Sequence, residues 1–151
     1  MLYICVMKEK LVDIRRINHS CTRLHYHIVL VCKFRRKLIN TDIESELRRI
    51  FTDIATHSHF KIKYMGFDKD HVHLFVTSVP SFSVLSIVRR LKQVSTRRLW
   101  DIRSDYLRQY FWKGRPLWTS GYYCSTVGAI TEESVIQYII NQGDSSAKLN
   151  I

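Results

Sequence analysis

Two histidines flank one apolar residue at His71-Val72-His73, inside a run that reads as a β-strand. Alternate side chains of a strand point to the same face, so the two imidazoles stand roughly 6.5–7 Å apart along the chain and can reach one divalent cation together. Toward the end of the sequence, Tyr138 and Gln142 lie four residues apart on an expected helix, which also gives them a common face. A free phenol titrates near ~10 and attacks phosphate slowly. A metal ion supplies what the phenol lacks, by withdrawing charge from the oxygens of the target phosphate. The chemistry these residues can do is metal-assisted attack on a phosphodiester, leaving a phosphotyrosine.

Neither signal is specific alone. The seven histidines include three such pairs, His25/His27, His57/His59 and His71/His73. His57/His59 falls at a helix end, where a cation near the last carbonyls needs no metal to justify it. His25/His27 lies in the opening strand and reads as packing or as support for other histidines. His71/His73 has a distinctive context, with a turn and Asp70 before it and Leu74-Phe75-Val76 behind. Paired strand histidines also occur as half-exposed pleat residues at a sheet edge. Tyr138 is one of eight tyrosines, and its spacing with Val135, Ile139 and Gln142 also suits core packing.

The elements that must position these residues follow from periodicity. Arg23 to Cys32 is β-branched and apolar, a buried strand that exits into Lys33-Phe34-Arg35-Arg36-Lys37. Thr41-Asp42-Ile43-Glu44 is a capping box, and Ile43, Leu47, Ile50, Phe51 and Ile54 carry a helix to about His57. Residues 60–67 and 71–79 form a hairpin around Asp68-Lys69-Asp70, closed by Pro80. A second helix spans about 81–100 on an apolar stripe of Val84, Ile87, Val88, Leu91 and Val94. Residues 101–117 show no clear period. Trp118 to Val127 reads as the last strand, with Gly121 inside it. Thr131 caps a final helix that Gly143 ends, with Glu132 and Glu133 in its first turn. The order is β-α-β-β-α-β-α, an α+β fold of antiparallel strands with helices on one face.

The chain has 151 residues, enough for one domain with a real core. Its 24 Lys and Arg against 13 Asp and Glu give +11 and a pI near 9.8, which favours a nucleic-acid partner over a membrane surface. Lys33, Arg35 and Arg36 after the first strand, and Arg89, Arg90 and Arg97 along the second helix, are the candidate DNA contacts; a solvated helix face explains the second set equally well in isolation. Interleaved aromatics from Tyr106 to Tyr123 could stack unpaired bases, or serve as core and dimer contacts. Four cysteines without a CxxC pair, and no signal peptide, read as reduced thiols in a cytoplasmic protein. No run reaches transmembrane length, and no phosphate-cradling glycine loop calls for a nucleotide cofactor.

Four stretches then fall in a familiar order: Tyr26-His27-Ile28-Val29 to Lys37; Asp70-His71-Val72-His73-Leu74; Leu117-Trp118-Thr119-Ser120-Gly121-Tyr122 to Gly128; and Tyr138-Ile139-Ile140-Asn141-Gln142. Over about residues 22–142 the chain resembles the single-tyrosine HUH transposases of very small insertion sequences, the insertion-sequence two-hundred type. The resemblance implies a ferredoxin-like HUH endonuclease fold with the tyrosine on the C-terminal helix. It implies His71, His73 and Gln142 as metal ligands, Tyr138 as nucleophile and a divalent cation, Mg²⁺ or Mn²⁺, as cofactor. The implied activity is cutting and rejoining single-stranded DNA through a 5′-phosphotyrosine, by a homodimer that reads hairpins at element ends. The implied organisation is an N-terminal extension over 1–21, the transposase domain over 22–143 and a flexible tail over 144–151. Ile140 departs from the family, which often has a charged residue there. Gly128-Ala129-Ile130 is a candidate hinge before the tyrosine helix.

Three other readings compete. A host-domesticated tyrosine nuclease acting on palindromic repeats keeps the chemistry and changes its role. A non-catalytic single-strand-binding protein predicts affinity with no covalent adduct. A zinc-stabilised domain of Cys and His is disfavoured by the absence of paired cysteines.

Overall fold

The computed structural model describes residues 24–127 in full, together with the backbone of two short strands, β1 (Arg15–Ile17) and β2 (Ser20–Thr22). These two pair antiparallel as a separate ribbon that, but for Thr22, falls in the stretch expected to be an extension. The elements that follow are β3 (Leu24–Val31), α1 (Thr41–Thr56), β4 (Lys61–Phe67), β5 (His71–Ser78), α2 (Val84–Arg108) and β6 (Tyr123–Thr126). The four long strands form one sheet in the order β4-β5-β3-β6, every neighbouring pair antiparallel. This β-α-β-β-α-β arrangement is ferredoxin-like, as the residue pattern predicts. The expected helix over 131–143 lies outside the described residues.

Strand alternation divides the sheet into two faces. On one, Ile28 and Leu30 of β3 and Val72, Leu74 and Val76 of β5 pack with Leu47, Ile50 and Phe51 of α1 and Ile87, Leu91 and Trp100 of α2 in a single core. On the other stand His25, His27, Val29 and Val31, opposite Thr77, Phe75, His73 and His71. Every residue of β5 is buried, His71, His73, Thr77 and Ser78 included, so the strand is covered on both sides.

Three boundaries differ from expectation. The cap of α1 is Asn40, whose Oδ1 accepts from the Ile43 N–H at 2.9 Å, so Thr41 is already helical. Helix α2 starts at a Ser83 cap and runs to Arg108, eight residues beyond Trp100, across a local break at Arg103 (φ −133°, ψ 32°). Burial of Leu107, one heptad after Trp100, keeps the same helix face on the core through that break. The last strand is split. Tyr123 stands opposite Val29, yet Cys32 opposes Trp118 where uninterrupted pairing would place Ser120.

The two extra residues bulge out over 119–121, and Lys92 fastens them. Its ammonium donates to the carbonyls of Thr119 (2.7 Å), Ser120 (3.2 Å) and Gly121 (2.7 Å). Half-burial among these groups lowers its pKa from the ordinary lysine value. Lys92→Met keeps the aliphatic stem and removes the clamp, and should cost about 1–3 kcal/mol, read as a lower Tm in calorimetry. An unchanged Tm would mean that water satisfies the three carbonyls equally well.

Candidate active site

His71 and His73 lie on the sheet face away from the helices, ring centroids 4.9 Å apart and nearly perpendicular. Each ring has its Nδ1 engaged. His71 Nδ1 meets Asp70 Oδ1 at 2.6 Å, and His73 Nδ1 meets His27 Nε2 at 2.9 Å. Asp70 is itself fixed: Cys32 N–H donates to its carbonyl at 2.8 Å, and Arg35 approaches its carboxylate at 3.8 Å. His27 stacks on His73 at 5.1 Å, with the edge of Tyr123 against it at 6.0 Å. Burial lowers the His27 pKa and so favours the neutral ring, which can take the His73 Nδ1 proton in a hydrogen bond. His25, one pleat further, is tied to Thr77 Oγ1 at 2.9 Å and stacks on Phe75.

This pattern suits metal binding. A ligating imidazole ordinarily donates its second N–H to a carboxylate or other acceptor, which fixes the tautomer and turns Nε2 to the metal. Asp70 and His27 do this for His71 and His73, and His71 Nε2 is buried with no hydrogen-bond partner among the described residues. Two imidazoles do not complete a coordination sphere. Among the described residues no three His, Cys, Asp or Glu side chains are arranged to hold a metal ion together. Cys32 and Cys124 lie on the helix face, away from the histidines, and burial raises both thiols, Cys32 to about 12 with help from the Asp70 charge. They cannot join His71 and His73 in a zinc site. Tyr138 and Gln142 lie outside the described residues.

The IS200-like transposase family model matches residues 20–142. The chain belongs to that family. ISDra2 transposase TnpA of Deinococcus radiodurans is 30% identical over 122 residues, covering 81% of this chain and 86% of that protein. The transposase for insertion sequence element IS200 of Salmonella typhimurium is 28% identical over 130 residues, 86% of this chain and 84% of that one. A Deinococcus radiodurans crystal structure described as a transposase superposes with TM-score 0.69 at 29% identity, covering 85% of this chain and 97% of that one. A REP-associated tyrosine transposase bound to a REP hairpin shares the fold, with TM-score 0.60 at 13% identity, over 84% of this chain and 71% of that one.

An IS200-like transposase must handle DNA, and the arginines here divide by their partners. Arg48 and Arg49 pair with Glu44 and Glu46 along α1, and Arg98 bridges α2 to Asp53 of α1. Arg90 reaches the His57 carbonyl at 3.3 Å. Lys33, Arg36, Arg89 and Arg97 have no acidic partner among the described residues. Of the six sequence-predicted DNA contacts, Arg35 approaches the Asp70 carboxylate, Lys33 and Arg36 line a cleft with Tyr110 and Trp112, Arg97 lines a neighbouring cleft, and Arg89 and Arg90 lie exposed along α2. Asp70 and His27, seen in the sequence only as context, are the side chains that orient the histidine pair. No helix among the described residues is long and apolar enough to cross a membrane.

Proposed function

We propose that this transposase cleaves and rejoins single-stranded DNA at the ends of an insertion sequence, with residues 22–143 as the catalytic unit. The observation that carries the reading is the histidine pair, held from behind by Asp70 and His27. His71, His73 and Gln142 would hold a divalent cation, Mg²⁺ or Mn²⁺; when bound, it draws charge from the scissile phosphate. Tyr138 Oη attacks phosphorus, the bond to the 3′ oxygen breaks, and that oxygen leaves with a proton as a 3′-hydroxyl. The DNA remains joined as a 5′-phosphotyrosine. A second strand's 3′-hydroxyl reverses the step, so bond energy is conserved without a nucleotide cofactor.

Chain geometry supports this assignment of Tyr138. Val127 N–H donates to the His25 carbonyl at 2.9 Å, at the far end of β3 from His71. The register puts His71 opposite Val31, six residues from His25 and roughly 20 Å along the sheet. The eleven residues after Val127, ending at Tyr138, can span between about 16 Å, if wholly helical, and about 36 Å, if fully extended, so the phenol can reach the histidines. The hairpin in the related REP-associated complex supports hairpin ends as the DNA partner. The working unit in this reading is a homodimer.

The test is a denaturing gel of the full chain incubated with single-stranded DNA from its own flanking locus, with Mg²⁺, Mn²⁺ or chelator. A covalent protein–DNA band that requires metal is expected. Tight binding without a band under either metal would favour the non-catalytic reading.

A further inference from the structure

Beyond β3 the chain turns through Lys33–Arg35, and both Phe34 (φ 58°, ψ 22°) and Arg35 (φ 49°) adopt the left-handed region. Two successive residues with side chains rarely do so, and such strain persists only where surrounding bonds impose it. Here Lys33 N–H donates to the Leu117 carbonyl at 2.8 Å and Arg35 N–H to the Cys32 carbonyl at 2.9 Å. The consequence is a phenylalanine turned outward, its side chain 70% exposed. Facing the same cleft is Trp112, 90% exposed, although the loop bearing it is fastened. Trp100 Nε1 donates to the Pro116 carbonyl at 2.8 Å, and Arg108 to the Gly114 carbonyl at 2.9 Å. Two aromatic rings are thus displayed to solvent by backbones that are held.

The cleft between them is about 460 Å³, and Lys33, Arg36 and Lys113 ring it. A second basic cleft of about 520 Å³ shares Lys33 and Pro116 and adds Arg97 and Arg115. Lys33 and Phe34 lie two and three residues past Val31, the partner of His71, and Arg35 reaches Asp70, which holds His71. Exposed aromatics beside Lys33 and Arg36, cations without an acidic partner among the described residues, match the chemistry of a single strand, whose bases stack on rings while its phosphates track positive charge.

We propose that the Phe34–Trp112 cleft is a stacking subsite for an unpaired base of the DNA strand, beside the catalytic histidines. The proposal rests on the single-strand reading of the substrate, but it is measured without cleavage. Trp100 and Trp118 are buried, so contact quenching by added DNA reports mainly on Trp112. With (dT)12 in chelator, saturable quenching is expected, and a blunt duplex of the same length should produce little. Read by the anisotropy of end-labelled (dT)12, Phe34→Ala and Trp112→Ala should each weaken binding about tenfold with the salt dependence unchanged, whereas Lys113→Ala should reduce the salt slope by about one. Phe34→Gly relaxes the left-handed backbone, so its loss of affinity should come with no loss of Tm. Aromatic variants that bind (dT)12 like wild type would overturn the proposal. If those variants instead lose self-association in light scattering with DNA affinity intact, the patch joins two copies of the chain. A metal-dependent adduct that fails to form while quenching persists would refute the catalytic reading and leave this one standing.

Discussion

Tyr138→Phe will abolish the covalent protein–DNA adduct, by on the order of 10⁴-fold or more, while leaving affinity for the same oligonucleotide near the wild-type value. The substitution removes one oxygen and keeps the ring, so it is nearly isosteric. Other tyrosines are poor substitutes for physical reasons. Tyr106 donates its hydroxyl to the Leu38 carbonyl at 2.6 Å, and burial together with Tyr110 raises its pKa well above the ordinary phenol value. Tyr26 packs against the core on the helix face. Tyr123 is the informative control, because it lies on the histidine face with its ring against His27. Tyr123→Phe should retain the adduct. The opposite pattern, an adduct that survives in Tyr138→Phe and is lost in Tyr123→Phe, would move the nucleophile to β6.

Much of the framework is written in local pattern. The apolar run of β3, the stripe of α1 and the hairpin at Asp68-Lys69-Asp70 each depend on neighbours in sequence, and each lies within a residue or two of its predicted bounds. The pairing of His71 with Asp70 is likewise local. His27 is different, because its bond to His73 spans 46 residues and exists only through the β3–β5 register. The extension of α2 past Trp100 was illegible for a related reason. Residues 101–117 show no clear period of their own, whereas bonds from Trp100 to Pro116 and from Arg108 to Gly114 hold a helix and a returning loop. The bulge at 119–121 depends on Lys92 from another element, and no pattern within residues 118–127 announces it. Phe34 carried a weak signal, a lone aromatic in a run of cations, but its left-handed backbone could not be read from sequence.

Removing the two histidines should have unequal consequences, and the inequality tests the site. His71→Ala should eliminate detectable Mn²⁺ binding in calorimetry and reduce adduct formation by about 10²–10³-fold or more, as loss of a fixed electrostatic stabiliser does. Its cost to the fold should be small, since Asp70 keeps its backbone bond from Cys32 and its contact with Arg35. His73→Ala should abolish metal binding as well, but it also strips the buried His27 Nε2 of its 2.9 Å partner. That orphaned nitrogen costs about 1–3 kcal/mol, visible as a lower Tm in metal-free protein. His27→Gln should be milder than either, with Mn²⁺ affinity reduced about 10- to 100-fold by loss of the group that fixes the His73 tautomer. If His71→Ala bound Mn²⁺ as tightly as wild type, the imidazole pair would not be the metal site. If His27→Gln left the affinity unchanged, His73 would need no orientation by its neighbour, and the stacked pair would serve packing alone.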